Sequence, residues 1–150
     1  PFQVYGLGLQ HKHLPEILKY TGLTRRPIFV PSVGNFRQGM LVQLPLHLDL
    51  LPGQPKAADL HDALASHYAQ SNTPAQWVSV LPPTEDGKLE PTALNDTNKL
   101  ELRVFANETY RHAVLVARLL QRAADAAQDH LLVCVHLSVS GRGAQVLLSR

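Results

Sequence analysis

From Met40 to Leu50 apolar and other residues alternate almost one for one, Met-Leu-Val-Gln-Leu-Pro-Leu-His-Leu-Asp-Leu, the clearest periodicity in the chain. Successive strand side chains point to opposite faces, so Leu44, Leu46, Leu48 and Leu50 share one face and Pro45, His47 and Asp49 the other. This obliges a sheet with one core face and one that is covered or wet. On the second face His47 beside Asp49 reads as a surface pair rather than a catalytic one.

Other stretches fall around that strand. Residues 3–10 read as a strand weakened by Gly6 and Gly8, each marking a bend or a close approach. Residues 27–33 read as a strand that Pro31 pushes toward an edge or a bulge. Gly34 to Gly39 is a turn, 77–81 a strand, 82–92 a surface loop, and 99–105 an alternating strand. A short helix is predicted over 14–21, stopped near Gly22, and an amphipathic one over 56–70, with Leu60, Leu64, His67 and Tyr68 on one stripe. Residues 110–119 fit either a returning strand or a helix capped at Asn107.

Composition narrows the class. A 45% hydrophobic share with 17% charged residues is that of a globular protein, and 150 residues form one domain able to bury about two-thirds of its unfolded surface. The net charge is only +2 and the basic residues are scattered, Arg25-Arg26 being the longest run, which excludes a clustered nucleic-acid footprint. A mildly positive pocket suits small phosphorylated molecules better. With one cysteine, Cys134, there is no disulfide framework, which suits a reducing cytoplasm. No apolar run approaches the ~20 residues needed to cross a bilayer. Because the chain begins with Pro1, a fragment whose upstream part has been left out is expected.

The chemistry gathers at His11-Lys12-His13-Leu14-Pro15-Glu16-Ile17. In an extended chain the imidazoles of His11 and His13 project to one side and can act on one ligand. Pro15 fits the first turn of the following helix, and Glu16 sits at that helix's positive end. A strand thus delivers two groups that titrate near neutrality to the mouth of a helix, an arrangement suited to acid–base work. Tyr5 lies six residues before His11, and Arg37 offers a planar fork of donors for carboxylate or phosphate.

This stretch resembles the His-Arg-His-x-Pro-Glu-Ile signature of N-acetyl-gamma-glutamyl-phosphate reductases, NADPH-dependent enzymes of arginine biosynthesis. Three further stretches resemble that family in order. They are residues 28–41, ending Arg37-Gln38-Gly39-Met40-Leu41; residues 77–82, Trp-Val-Ser-Val-Leu-Pro; and residues 95–100, Asn-Asp-Thr-Asn-Lys-Leu. The likeness runs from about residue 3 to 118. It implies an α+β fold with a mixed, largely antiparallel sheet and helices on one face, like the C-terminal domain of glyceraldehyde-3-phosphate dehydrogenase-type reductases. By resemblance, residues 112–117 become the returning strand of a hairpin, and the loop over 82–92 lies toward the active site as a candidate lid.

The resemblance also implies roles. One of His11 and His13 moves protons for a cysteine outside this chain, through a thioester and a thiohemiacetal, with His11 slightly favoured. Glu16 orients an imidazole or its helix, Tyr5 supports, and Lys12 and Arg37 hold the substrate carboxylate or phosphate. The implied cofactor is NADP, bound by a nucleotide domain absent from this chain, which has no Gly-x-Gly-x-x-Gly after a strand. The implied partners are a small phosphorylated acyl substrate, that nucleotide domain and a second subunit; no nucleic acid, membrane or metal is expected.

Departures from the family pattern lie at Lys12 for arginine, at Gln38 where the family arginine would stand, and beyond Arg118. There an Ala-rich run over 123–127 is helical by propensity, residues 131–140 read as a strand and 144–148 as a last one. Cys134 in its apolar run reads as a small, inert hydrophobe. These departures motivate a second class, a non-catalytic interaction module with a decayed pocket. A third, a His-x-His metal site, needs a further ligand, and His47, His112 and His136 carry no spacing signal for it.

Overall fold

A computed structural model describes residues 2–70, 77–122 and 131–138. In chain order the elements are β1 (Gln3–Val4), α1 (Leu14–Thr21), β2 (Ile28–Gly34), β3 (Gln38–His47), a 3-10 turn (Leu48–Leu50), α2 (Ala57–Gln70), β4 (Val78–Val80), β5 (Leu100–Asn107), β6 (His112–Arg122) and β7 (Leu131–Ser138). All the strands join one sheet in the order β1-β2-β7-β3-β6-β5-β4. Among the described residues only β3–β7 and β4–β5 run parallel, so the sheet is mixed and largely antiparallel.

The alternating stretch is the backbone of β3. Leu44 and Leu46 are buried, and their face receives both helices through Ile17 and Leu18 of α1 and Leu60 and Leu64 of α2, with Val104 and Ala113 beside them. The alternation does not run to Leu50 as expected. After His47 the chain tightens into the 3-10 turn, closed by Leu51 N–H donating to the Leu48 carbonyl at 3.3 Å. Leu48 and Leu51 are therefore buried while Leu50 is 57% exposed. His47 accordingly does not pair with Asp49; it lies opposite His112 of β6.

Helix α1 keeps its predicted bounds. Pro15 occupies its first turn, Lys19 its last, and Gly22, at φ +65°, ends it by donating its N–H to the Leu18 carbonyl. Its Leu14 packs on Phe29 of β2, and burying each stabilises by about 1.5–3 kcal/mol. Pro31 puts β2 on neither edge: β1 and β7 flank it, and the irregularity appears between Ser32 and Val33 in the pairing with β7.

The hairpin reading of 110–119 holds, and the second strand is longer than expected, reaching Arg122. The expected helix over 123–127 and the strand over 144–148 lie outside the described residues. Residues 131–138 form β7 between β2 and β3, in the middle of the sheet.

On the face away from the helices the half-buried side chains of Val30, Leu41, Pro45, Phe105 and Val114 form an apolar band with buried Val116. Glu101 and Arg118, paired across β5 and β6, stand on that face with Arg103. Both guanidiniums bond Glu101 Oε2, and they also reach loop carbonyls, Arg103 at Pro82 and Arg118 at Glu90. Pro91 lies so close to β3 that a Cβ on Gly39 would meet its carbonyl oxygen at 2.2 Å. The loop expected to act as a lid is thus fastened to the sheet near both of its ends.

Candidate functional site

The segment carrying the histidines is not a strand beyond Val4. One more sheet-like bond follows, Tyr5 N–H to the Pro31 carbonyl at 3.1 Å, and then Gly6 turns the chain at φ +65°. Leu9 N–H returns to the Gly6 carbonyl at 2.9 Å, and the Arg26 guanidinium pins the turn through the Leu9 carbonyl at 3.0 Å. A Cβ at Gly6 would make ordinary contacts with the Pro31 ring and His11, so it is the left-handed backbone that favours glycine there.

His11 and His13 meet, but by a turn rather than by strand alternation. Leu14 N–H donates to the His11 carbonyl at 3.0 Å, and His13 N–H donates to Nδ1 of His11 at 3.3 Å. The two ring centroids are 4.8 Å apart. Phe29 forms the floor beneath them, its centroid 4.8 Å from His11 and 6.3 Å from His13, and Tyr5 closes one side at 5.8 Å from His11. Phe29 was read only as part of a strand; nothing in the linear sequence marks it as the support of an imidazole pair.

The surroundings set the protonation of His11. Burial first, then the His13 and Lys12 charges, pull its pKa below the ordinary 6.5, while burial raises the Tyr5 phenol above 10.0. With Nδ1 accepting a backbone N–H, neutral His11 carries its proton on Nε2 and offers a donor there. His13 makes no side-chain hydrogen bond among the described residues and keeps a free lone pair.

The other expected residues are placed as follows. Lys12 is exposed beside the pair, close enough to act on His11 electrostatically. Glu16 is exposed in the first turn of α1 and bonds neither imidazole among the described residues, so its reach is limited to the helix end. Arg37 lies in the β2–β3 turn, at the opposite end of β2 from Phe29. The five strand steps between Phe29 and Gly34 span roughly 17 Å, and the fold does not bring Arg37 to the imidazoles. The inert reading of Cys134 concerns a side chain outside the described ones. No group of three or more histidine, cysteine or acidic residues that could hold a metal occurs among the described residues.

A mixed sheet carries both helices on one face and a histidine pair at the mouth of the first, and the chain belongs to the semialdehyde dehydrogenase dimerisation-domain family, whose model matches residues 1–119. Its relatives carry a more particular name. The chain is 46% identical over 120 residues to an N-acetyl-gamma-glutamyl-phosphate reductase of Burkholderia cenocepacia, a match covering 78% of this chain and 37% of that protein. Reductases of the same name from Chelativorans sp. (46% over 117 residues, 77% and 38%) and Trichormus variabilis (44% over 122 residues, 79% and 38%) are similar to it. The chain spans under two-fifths of the length of these relatives. No solved structure matches it.

Proposed function

We propose that this chain is the histidine-bearing, subunit-pairing domain of an N-acetyl-gamma-glutamyl-phosphate reductase, which forms N-acetylglutamate 5-semialdehyde in arginine biosynthesis in the cytoplasm. The observation that carries the reading is the His11–His13 pair on Phe29, built at the mouth of α1 by a sequence of this family. The retained contacts among Tyr5, His11 and His13 weigh against a non-catalytic module with a decayed pocket. The fold is read as akin to the C-terminal domain of glyceraldehyde-3-phosphate dehydrogenase-type reductases.

The two histidines divide the work. His11 donates from Nε2 to the oxygen that gains charge when a cysteine sulfur adds to the carbonyl, and His13, with its free lone pair, takes the thiol proton. The cysteine belongs to a part of the protein outside this chain. Lys12 attracts the substrate's anionic groups, and Tyr5 fixes the outer side of the His11 ring.

NADP is the cofactor implied by the family, but the described residues do not fit its cradle. β1 is a two-residue edge strand, and the Gly6-Leu7-Gly8 stretch closes a turn through the Leu9 N–H on the Gly6 carbonyl rather than opening a helix N-terminus to a pyrophosphate. Nucleotide binding is therefore assigned to a domain outside this chain. The apolar band on the face away from the helices is assigned to a second copy of the chain, making the protein a homo-oligomer.

The test is NADPH consumption by the intact protein with its acyl phosphate. The His11→Asn, His13→Asn double variant is expected to lose turnover while keeping its far-UV circular dichroism. Ordinary activity in that variant overturns the reading.

A further inference from the structure

The cross-strand pair His47 and His112 is not used by this chemistry. It stands on the sheet face opposite to Phe29 and α1, where β3 ends and β6 begins. The residues are direct partners in the β3–β6 register, and their ring centroids are 4.7 Å apart with the planes at 90°. Both are exposed. We infer that His47 and His112 form a two-imidazole chelate for one divalent transition-metal ion.

The geometry suits a single ion. A metal–nitrogen bond of ~2.0–2.1 Å plus a ring radius of about 1.1 Å places an ion about 3.2 Å from each centroid. The rings stand edge to face; once each has turned a nitrogen to one shared point, centroids 4.7 Å apart hold an ion at an angle of about 95°. That is the cis angle of square-planar and octahedral coordination, with water in the remaining positions. Because both rings are exposed, each can turn a nitrogen to the shared point without repacking the core.

The frame beneath the rings is fixed. Leu48 N–H donates to the Arg111 carbonyl at 2.8 Å just beyond the pair. The β5–β6 turn is tied to the start of α2 and to the loop before it: Glu108 accepts the Ala57 N–H, and Arg111 donates to the Gln54 and Pro55 carbonyls. Asn107, the cross-strand neighbour of His112 on β5, spends its side-chain oxygen on the Tyr110 N–H. The backbone beneath the two histidines is therefore held in register, and an ion requires only that the two rings turn. Imidazole donors favour Cu²⁺, followed by Ni²⁺ and Zn²⁺, and reject Mg²⁺ and Ca²⁺.

The intact protein, freed of metal with a chelator, is titrated with Cu²⁺ by calorimetry beside His47→Asn, His112→Asn and the double variant. His11→Asn, His13→Asn serves as the control. One Cu²⁺ per chain is expected to bind at least tenfold more weakly in either single variant, with little further loss in the double. The control should keep wild-type binding, and Cu²⁺ should raise Tm only where both His47 and His112 are present. Electron paramagnetic resonance should report two equatorial imidazole nitrogens. Equal Cu²⁺ affinity in the wild type and the His47/His112 double variant, or a signal that vanishes in the His11/His13 control instead, overturns the inference. Loss of reductase activity in the His11/His13 variant bears on the proposed function alone.

Discussion

The backbone N–H of His13 donates to Nδ1 of His11 at 3.3 Å, so one histidine's main chain sets the tautomer of the other. Replacing His13 by alanine keeps that N–H, whereas proline removes it. With ¹⁵N-labelled histidine, His11 is expected to carry its proton on Nε2 in the wild type and in His13→Ala. A mixture of tautomers is expected in His13→Pro, and a wild-type His11 protonated on Nδ1 would refute the assignment.

The depressed pKa of His11 has a defined sign. Below 6.5 the unfolded chain takes up the proton first, so stability rises with pH between the folded value and 6.5 and is lost as pH falls through that window. Lys12→Met removes one of the two positive neighbours and should move the His11 midpoint upward in an NMR titration, by less than His13→Asn does. Unchanged midpoints in both variants would leave burial as the sole cause.

Phe29 is 4% exposed and carries both imidazoles. Phe29→Ala should cost about 3–5 kcal/mol in urea unfolding. It should also let water reach His11, whose midpoint returns toward 6.5. Loss of stability with no change in the titration would show that Phe29 is not what dries the ring.

Gly39 at φ +108° faces the Pro91 carbonyl oxygen, which a Cβ would meet at 2.2 Å. Gly39→Ala is expected to destabilise by at least about 2 kcal/mol. Gly8, with nothing within 4 Å, should tolerate alanine within about 0.5 kcal/mol. Paired thermal melts compare the two directly.

Glu101 balances two arginines whose side chains are 12–13% exposed, and each keeps its Nε buried without a partner among the described residues. Glu101→Gln should therefore cost about 3 kcal/mol and loosen the loop over 82–92, read as faster amide exchange there. Asp86→Asn breaks an ion pair that is 82% and 61% exposed and should change stability by under about 0.5 kcal/mol.

The elements with a strict period were legible. Met40 to His47 is a strand because alternation admits little else, and α1 carries its own start and stop in Pro15 and Gly22. The break after His47 was not legible, because it depends on the Arg111 carbonyl more than sixty residues away. The meeting of His11 and His13 was foreseen from their spacing, but the cause is the turn in which the Leu14 N–H bonds the His11 carbonyl and the His13 N–H bonds His11 Nδ1. Glu101, Arg103 and Arg118 were within reach: charges at alternate positions of an otherwise apolar hairpin, in a register fixed by a four-residue turn, must share a face. The His47–His112 pair was not within reach, because it lies in the non-local β3–β6 register, which no turn sets.

The position of β7 bears on how the chain is made. Its neighbours β2 and β3 are adjacent in sequence and are synthesised together, yet β7, which separates them, is synthesised more than eighty residues after β3 ends. Until it arrives, both strands present open edges toward each other, able to zip together in a non-native hairpin or to recruit another nascent chain. Among the described strands, closure of the sheet between β2 and β3 therefore waits on its most distant pairing, that of β2 with β7.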